Sequence, residues 1–140
     1  MSLTINQDVF PLAQVFTISR GSRTEAKVLS VKISRDGVSG WGECVPYARY
    51  NETAASVSAQ IESLPDAFDR QGLYELLPPG AARNAVDCAL WDLEAKQSGL
   101  RVWQLAGLPT PGPEITAYTL SLDSPENMRA QAAEHAHRPL

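Results

Sequence analysis

A change of hydrophobic period near residue 50 restricts this chain to few architectures. Over 27–34, Leu29, Val31 and Ile33 share one parity while Ser30, Lys32 and Ser34 share the other. That alternation is the signature of a half-buried antiparallel strand. Leu3, Ile5 and Val9 suggest an earlier strand, with Thr4 and Asn6 opposite, that Pro11 should interrupt. Asp36-Gly37 supplies a hairpin turn, because glycine tolerates the positive φ such turns need, and 38–45 should return as a third strand. Past residue 50 the spacing becomes three and four. Ala54, Val57, Ile61 and Leu64 form one stripe, with Asn51 or Thr53 as N-cap and Pro65 as the stop.

A short helical turn is expected over 73–77, closed by Pro78-Pro79. The strongest helix spans 81–98, with an inner stripe of Ala82, Val86, Ala89, Leu90 and Leu93 and Gly99 at its end. Arg83–Asp87 and Asp92–Lys96 are spaced for ion pairs worth about 0.2–0.5 kcal/mol each. A last helical turn over 102–106 leads into the Pro-rich stretch 109–113. Beyond it the pattern restarts as a strand over 115–122 and a helix with Ser124 as N-cap, Pro125 at N1, and Met128, Ala132 and Ala136 on its inner face. One strand and one helix cannot bury their own faces, so this βα unit reads as the start of a larger α/β domain cut short. The expected class is α+β: a three-stranded antiparallel meander, then a helical bundle, then the first βα unit of a truncated (β/α) barrel. The expected domains are 1–108, a linker over 109–113, and 114–140.

Among the 140 residues, 12 Lys and Arg face 16 Asp and Glu, for a net charge of −4. That balance argues against a nucleic-acid partner. No apolar run approaches the roughly 18 residues of a membrane span. The first eight residues lack the basic and apolar regions of a signal peptide, so a cytoplasmic location is the default. Cys44 and Cys88 lack Cys-x-x-Cys spacing and are expected to be buried, inert, reduced thiols. Trp41, Trp91 and Trp103 are expected in the core rather than as ligand platforms.

Three stretches carry a family resemblance. Ile18-Ser19-Arg20-Gly21-Ser22-Arg23-Thr24-Glu25-Ala26 comes first, then Gly40-Trp41-Gly42-Glu43-Cys44-Val45-Pro46-Tyr47 continuing through Thr53. The third runs from Pro79-Gly80-Ala81-Ala82-Arg83-Asn84 to Ala89-Leu90-Trp91-Asp92-Leu93. Together they resemble the L-Ala-D/L-Glu (dipeptide) epimerases, in the muconate-lactonizing-enzyme subgroup of the enolase superfamily. The Arg-Gly-Ser-Arg loop paired with Pro-Tyr-x-Arg-Tyr looks particular to the dipeptide epimerases.

The resemblance implies that 1–108 is a capping, substrate-specificity domain over a C-terminal barrel. It implies acid/base lysines on the second and sixth barrel strands and Mg²⁺ held by carboxylates on the third, fourth and fifth. An α-proton beside a carboxylate is weakly acidic, so its removal needs a metal to stabilise the resulting charge and a tuned base. The family's Lys-x-Lys follows a segment like 136–140. No catalytic residue and no metal ligand is therefore expected within these 140 residues, and the chain alone is expected to be inactive. A dipeptide substrate, recovery of murein peptides and a homo-oligomer also follow from the resemblance. Other subgroup reactions (cycloisomerase or o-succinylbenzoate synthase) and a non-catalytic, cap-like binding module are the alternatives.

Four residues are candidates for substrate binding: Arg20, Arg23, Tyr50 and Thr119. A guanidinium offers two parallel donors to a carboxylate, so Arg20 and Arg23 suit a substrate ending in glutamate. Both are equally readable as solvated arginines in a mobile 19–24 loop. Tyr50, beside Arg49, lines a second specificity loop or packs against the following helix. Thr119 and Ser121 share a face near the end of the first barrel strand, where hydroxyls point into a pocket or are satisfied by backbone. Glu43 reads as loop support. His135 and His137 are two apart on a helix and do not share a face, so a metal site there has little support. The sequon Asn51-Glu52-Thr53 has no meaning in a cytoplasmic chain.

Overall fold

The computed structural model describes residues 1–137; the 138–140 tail, read above as part of the approach to a second barrel strand, lies outside the described residues. Strands β1 (Ser2–Ile18), β2 (Gly21–Arg35) and β3 (Val38–Cys44) form a three-stranded antiparallel sheet in the order β1-β2-β3. Helices α1 (Ala54–Glu62), α2 (Arg70–Leu76), α3 (Ala81–Ser98), α4 (Val102–Leu105) and α5 (Pro125–His135) follow. The α+β class is as expected, and the chain forms two compact units.

The first unit comprises Met1–Val9 and Lys27–Thr110. Asp36 and Gly37 take positive φ (52° and 79°), making the tight turn that joins β2 to β3. The register pairs Leu29 with Cys44, Val31 with Gly42 and Ile33 with Gly40, so these residues share one sheet face. Leu29, Val31 and Ile33 are fully buried there, as the alternation required. α3 lies on this face and buries Ala82, Ala85, Val86, Ala89, Leu90 and Leu93; Val57 and Ile61 of α1 and Leu73 of α2 complete the core. Gly40 and Gly42 permit the approach. A Cβ on Gly40 would fall onto the carbonyl oxygen of Ala89, and one on Gly42 onto that of Ala85.

The same parity corrects the expectation for Trp41. Lying between two glycines that face α3, it must point the other way, and it is half exposed beside Lys32, whose ammonium sits 5.2 Å from its ring centroid. Trp91 is half-buried, with the Arg70 guanidinium 3.5 Å above its ring, and Trp103 is also half-buried.

The two-residue turn makes 38, 40, 42 and 44 the positions that exchange bonds with β2, leaving the backbone of 39, 41 and 43 facing outward. α3 covers that edge. Asn84 Nδ2 donates to the Glu43 carbonyl, Asp92 Oδ2 accepts from Trp41 N at 2.8 Å, and Lys96 Nζ donates to the Ser39 carbonyl at 3.1 Å. Lys96 also pairs with Asp92 at 2.6 Å, as its spacing suggested. Arg83 instead stacks over Tyr74 and donates to the Leu77 carbonyl.

Local signals set the helix ends. Thr53, not Asn51, caps α1: its Oγ1 accepts from Ser56 N, and Ser56 Oγ accepts from Thr53 N. Asp69 caps α2 through Gly72 N at 2.7 Å. Gly99, at φ 69°, ends α3.

The second unit comprises Phe10–Ala26 and the described part of Pro111–Leu140. Four expectations fail here. Pro11 does not interrupt β1, because β1 is an edge strand, where a missing N–H can face away from the ladder. Nor is 19–24 a loop: only Ser19 and Arg20 form the turn, and Gly21 already opens β2. The predicted strand over 115–122 is not formed. A strand requires a ladder partner, and the bonds from this segment to β1 cluster at its end, from Leu122 N to the Thr17 carbonyl and through Ser121. α5 starts as expected, with Ser124 Oγ accepting from Asn127 N. Its half-buried residues are Met128, Gln131 and His135, whereas Ala132 and Ala136 are exposed. The His135 ring packs edge-on to Tyr118 at 4.5 Å, which turns the inner stripe away from the alanines.

Candidate functional site

Both arginines singled out from the sequence lie in the second unit and are exposed. Arg20 occupies the β1–β2 turn, and Arg23 lies on β2 just after it. Thr17 Oγ1 and Ser22 Oγ, 2.9 Å apart, tie the two strands beside this turn. The guanidiniums are thus carried by a hydrogen-bonded hairpin end, not by an unstructured loop. Such a support lowers the ordering cost of holding an anion.

Thr119 is exposed in the same unit. Ser121 is buried, and its hydroxyl accepts from Thr17 N at 2.9 Å and donates to the Val15 carbonyl at 3.1 Å. Of the two readings of that hydroxyl, backbone satisfaction is the one realised. Apolar surface accompanies these groups: Phe10, Val15, Ile115, Tyr118 and Leu122 are exposed in this unit.

Tyr50 belongs to the first unit. It ends a 3-10 turn, Ala48–Tyr50, that closes on Asn51 in the left-handed region (φ 59°), a conformation asparagine tolerates better than most residues. Tyr50 is 70% exposed, with its ring centroid 5.9 Å from that of Tyr47. Of its two readings, packing against the following helix is not what this exposure describes. The two tyrosines border a cleft of about 470 Å³ lined also by Cys44, Val45, Glu52, Pro79, Gly80, Ala81 and Asn84. Its size is within the range of small-molecule sites.

Glu52 is the residue lining this cleft that sequence reasoning passed over. Its Oε1 accepts from Ala81 N at 2.7 Å and its Oε2 from Tyr47 N at 3.2 Å. The N-cap position of α3 is Gly80, which has no side chain to cap the helix, so the carboxylate of Glu52 does so at Ala81 N from 29 residues earlier in the chain. The detectable signal was a strong helix opening on Pro-Gly without a local Ser, Thr, Asp or Asn. Glu43, exposed, contributes its backbone carbonyl to Asn84.

The Cys44 thiol is pushed up to about 11, first by burial and then by the charges of Glu52 and Glu43. Cys88 is exposed, contrary to expectation, because it lies beside the buried stripe of α3 and not on it. Its pKa is also raised, by partial burial and then by Asp87. Neither thiol is activated as a nucleophile. Among the described residues no three His, Cys, Asp or Glu side chains converge to hold a metal ion, so these residues do not fit a Mg²⁺ site. No helix among them is long and apolar enough to cross a membrane.

A three-stranded meander whose glycines seat a long helix is the architecture of an enolase-type N-terminal capping domain. Residues 1–107 match the mandelate racemase / muconate lactonizing enzyme N-terminal domain, and the chain belongs to that family. The L-Ala-D/L-Glu epimerase of Escherichia coli is 43% identical over 136 residues, covering 94% of this chain and 42% of the relative. A crystal structure from Agrobacterium tumefaciens is 50% identical, with a TM-score of 0.90, over 98% of this chain and 43% of that one. It is described as an enolase family member with homology to dipeptide epimerases, with bound sodium, L-Ala-L-Glu and an ordered loop. The dipeptide epimerase of Enterococcus faecalis, complexed with Mg and L-Leu-L-Tyr, is 26% identical with a TM-score of 0.83, over 96% of this chain and 41% of that one. The chain therefore spans a little over two-fifths of the length of each of these three relatives.

Proposed function

We propose that this chain is the capping part, 1–108, and the beginning of the barrel, 114–140, of a Mg²⁺-dependent epimerase that interconverts L-Ala-D-Glu and L-Ala-L-Glu. The observation that carries the reading is the 50% identity to a structure binding L-Ala-L-Glu over 98% of this chain. Arg20 or Arg23 binds the distal carboxylate of the substrate, since a guanidinium on an ordered turn matches it with two parallel bonds. Tyr50 borders the dipeptide at the second specificity loop, and Thr119 offers a hydroxyl. Mg²⁺ would be held outside these residues, and the chemistry it would supply there is stabilisation of charge on the substrate carboxylate. Its ligands and the acid/base residues belong to the length of the relatives that this chain does not span. Murein-peptide recovery, a cytoplasmic location and a homo-oligomer go with the same reading.

The test is α-deuterium exchange in D₂O by the full-length protein with Mg²⁺. L-Ala-L-Glu should exchange faster than L-Ala-L-Gln or L-Leu-L-Tyr. Lack of exchange with any dipeptide would reject an epimerase, and preference for L-Leu-L-Tyr would reject the role given to the arginines.

A further inference from the structure

The strongest observation outside the candidate binding groups is the carboxylate of Glu52. It joins two elements far apart in sequence, the 47–52 turn and the first residue of α3. The turn itself is short of outside support. Its backbone bonds are internal, from Tyr50 N to the Tyr47 carbonyl, from Asn51 N to the Ala48 carbonyl and from Glu52 N to the Tyr47 carbonyl. Its buried contacts are few: Ala48, Arg49, Tyr50 and Asn51 are all exposed. Where this turn stands on the unit is therefore decided largely by what grips its ends. Thr53 anchors one end as the N-cap of α1. At the other end Tyr47 N is held by Glu52 Oε2, while Oε1 of the same side chain is fixed on Ala81 N.

We infer that Glu52 is the positioning residue for Tyr50, setting where the exposed ring stands by tying its turn to the N-terminus of α3. The inference rests on the proposed role of Tyr50 at the dipeptide. Glu52 touches no reacting atom; it acts through Tyr47 and the turn. A carboxylate suits this double task because each oxygen can accept while neither must donate.

An amide separates the two bonds. In Glu52→Gln only one oxygen remains, and the shorter bond at the α3 N-terminus should keep it, so the variant retains the helix cap and loses Tyr47. Glu52→Ala loses both. Ile61→Val, in the core away from the turn, serves as the control for general destabilisation. All are made in the full-length protein and measured by amide hydrogen exchange and by steady-state kinetics with L-Ala-L-Glu. In Glu52→Gln the Tyr47 amide should exchange about tenfold faster with Ala81 little changed, and KM should rise about fivefold with kcat within twofold. In Glu52→Ala both amides should speed up. Ile61→Val should leave KM unaltered. An unchanged Tyr47 amide in Glu52→Gln, a loosened turn with unchanged KM, or an equal KM rise in Ile61→Val would overturn the inference. If the wild-type protein turns over no dipeptide, the proposed function fails separately, and the Tyr47 and Ala81 amides alone decide whether Glu52 holds the turn.

Discussion

Gly42→Ala is the substitution for which the packing of β3 on α3 makes the sharpest demand. The added Cβ would meet the Ala85 carbonyl oxygen and stand 2.8 Å from Ala89 N. Both are backbone atoms of a helix held by Ala82, Val86, Leu90 and Leu93 in the core, so no side-chain rotation relieves the clash. α3 must move away from the sheet or β3 must bend. Overpacking that displaces backbone costs about 1–3 kcal/mol, and a contact this close belongs at the upper end. At about 4–8 °C per kcal/mol for a domain of 60–100 residues, the midpoint for this unit should fall by about 12–24 °C. Urea denaturation followed by far-UV circular dichroism should show a lower midpoint with an unchanged slope. Gly99→Ala is the internal control. It meets open space, so its cost comes from the left-handed backbone alone, about 1–2 kcal/mol. A Gly42→Ala protein as stable as wild type would mean that α3 does not rest on the glycine backbone as described.

Other consequences can be measured on the same protein. If one guanidinium binds the distal carboxylate, Arg20→Ala or Arg23→Ala, but not both, should lose about 1.5–3 kcal/mol of binding. That is a ten- to hundredfold drop in kcat/KM for L-Ala-L-Glu and little for L-Ala-L-Gln; equal losses on both substrates would reduce the arginine to shaping its turn. Ser121→Ala leaves Thr17 N and the Val15 carbonyl without their side-chain partner and should cost about 1–3 kcal/mol, with faster exchange at the Thr17 amide as the readout. Cys44 has a folded pKa above its unfolded value, so its contribution to stability is present below about pH 9 and lost as pH rises through about 11. Cys44→Ala should flatten the fall in stability across that window, and iodoacetamide should modify exposed Cys88 well before Cys44.

Where the sequence was informative, the determinant was local. Alternation at Leu29, Val31 and Ile33, the Asp36-Gly37 turn, the α3 stripe and Gly99 each act within a few residues, and the structure uses all of them. Pro11 was misread because edge position, set by the order of strands, decides whether a proline can remain in a ladder, and 19–24 because its polar residues continue a hairpin whose turn is only Ser19 and Arg20. Trp41 was misread for a related reason. Its hydrophobicity favours burial, but Gly40 and Gly42 have already committed the intervening side chain to the opposite face. The candidate arginines and Tyr50 were legible only as residue types within motifs. Glu52 was not, since its partners Tyr47 and Ala81 become neighbours only after the sheet and α3 have packed.

The cover that α3 places over β3 also bears on how this protein can go wrong. Asn84, Asp92 and Lys96 occupy backbone groups that would otherwise template another strand. The protection is borrowed from a helix, so it is only as durable as the helix's attachment. A fluctuation that lifts α3 would expose a ready template while the β2–β3 hairpin remains intact, without any need for global unfolding. Self-association at that edge should therefore follow the opening rate of α3, and a mutation that loosens this helix would promote fibril growth before it measurably lowers the fraction of folded protein.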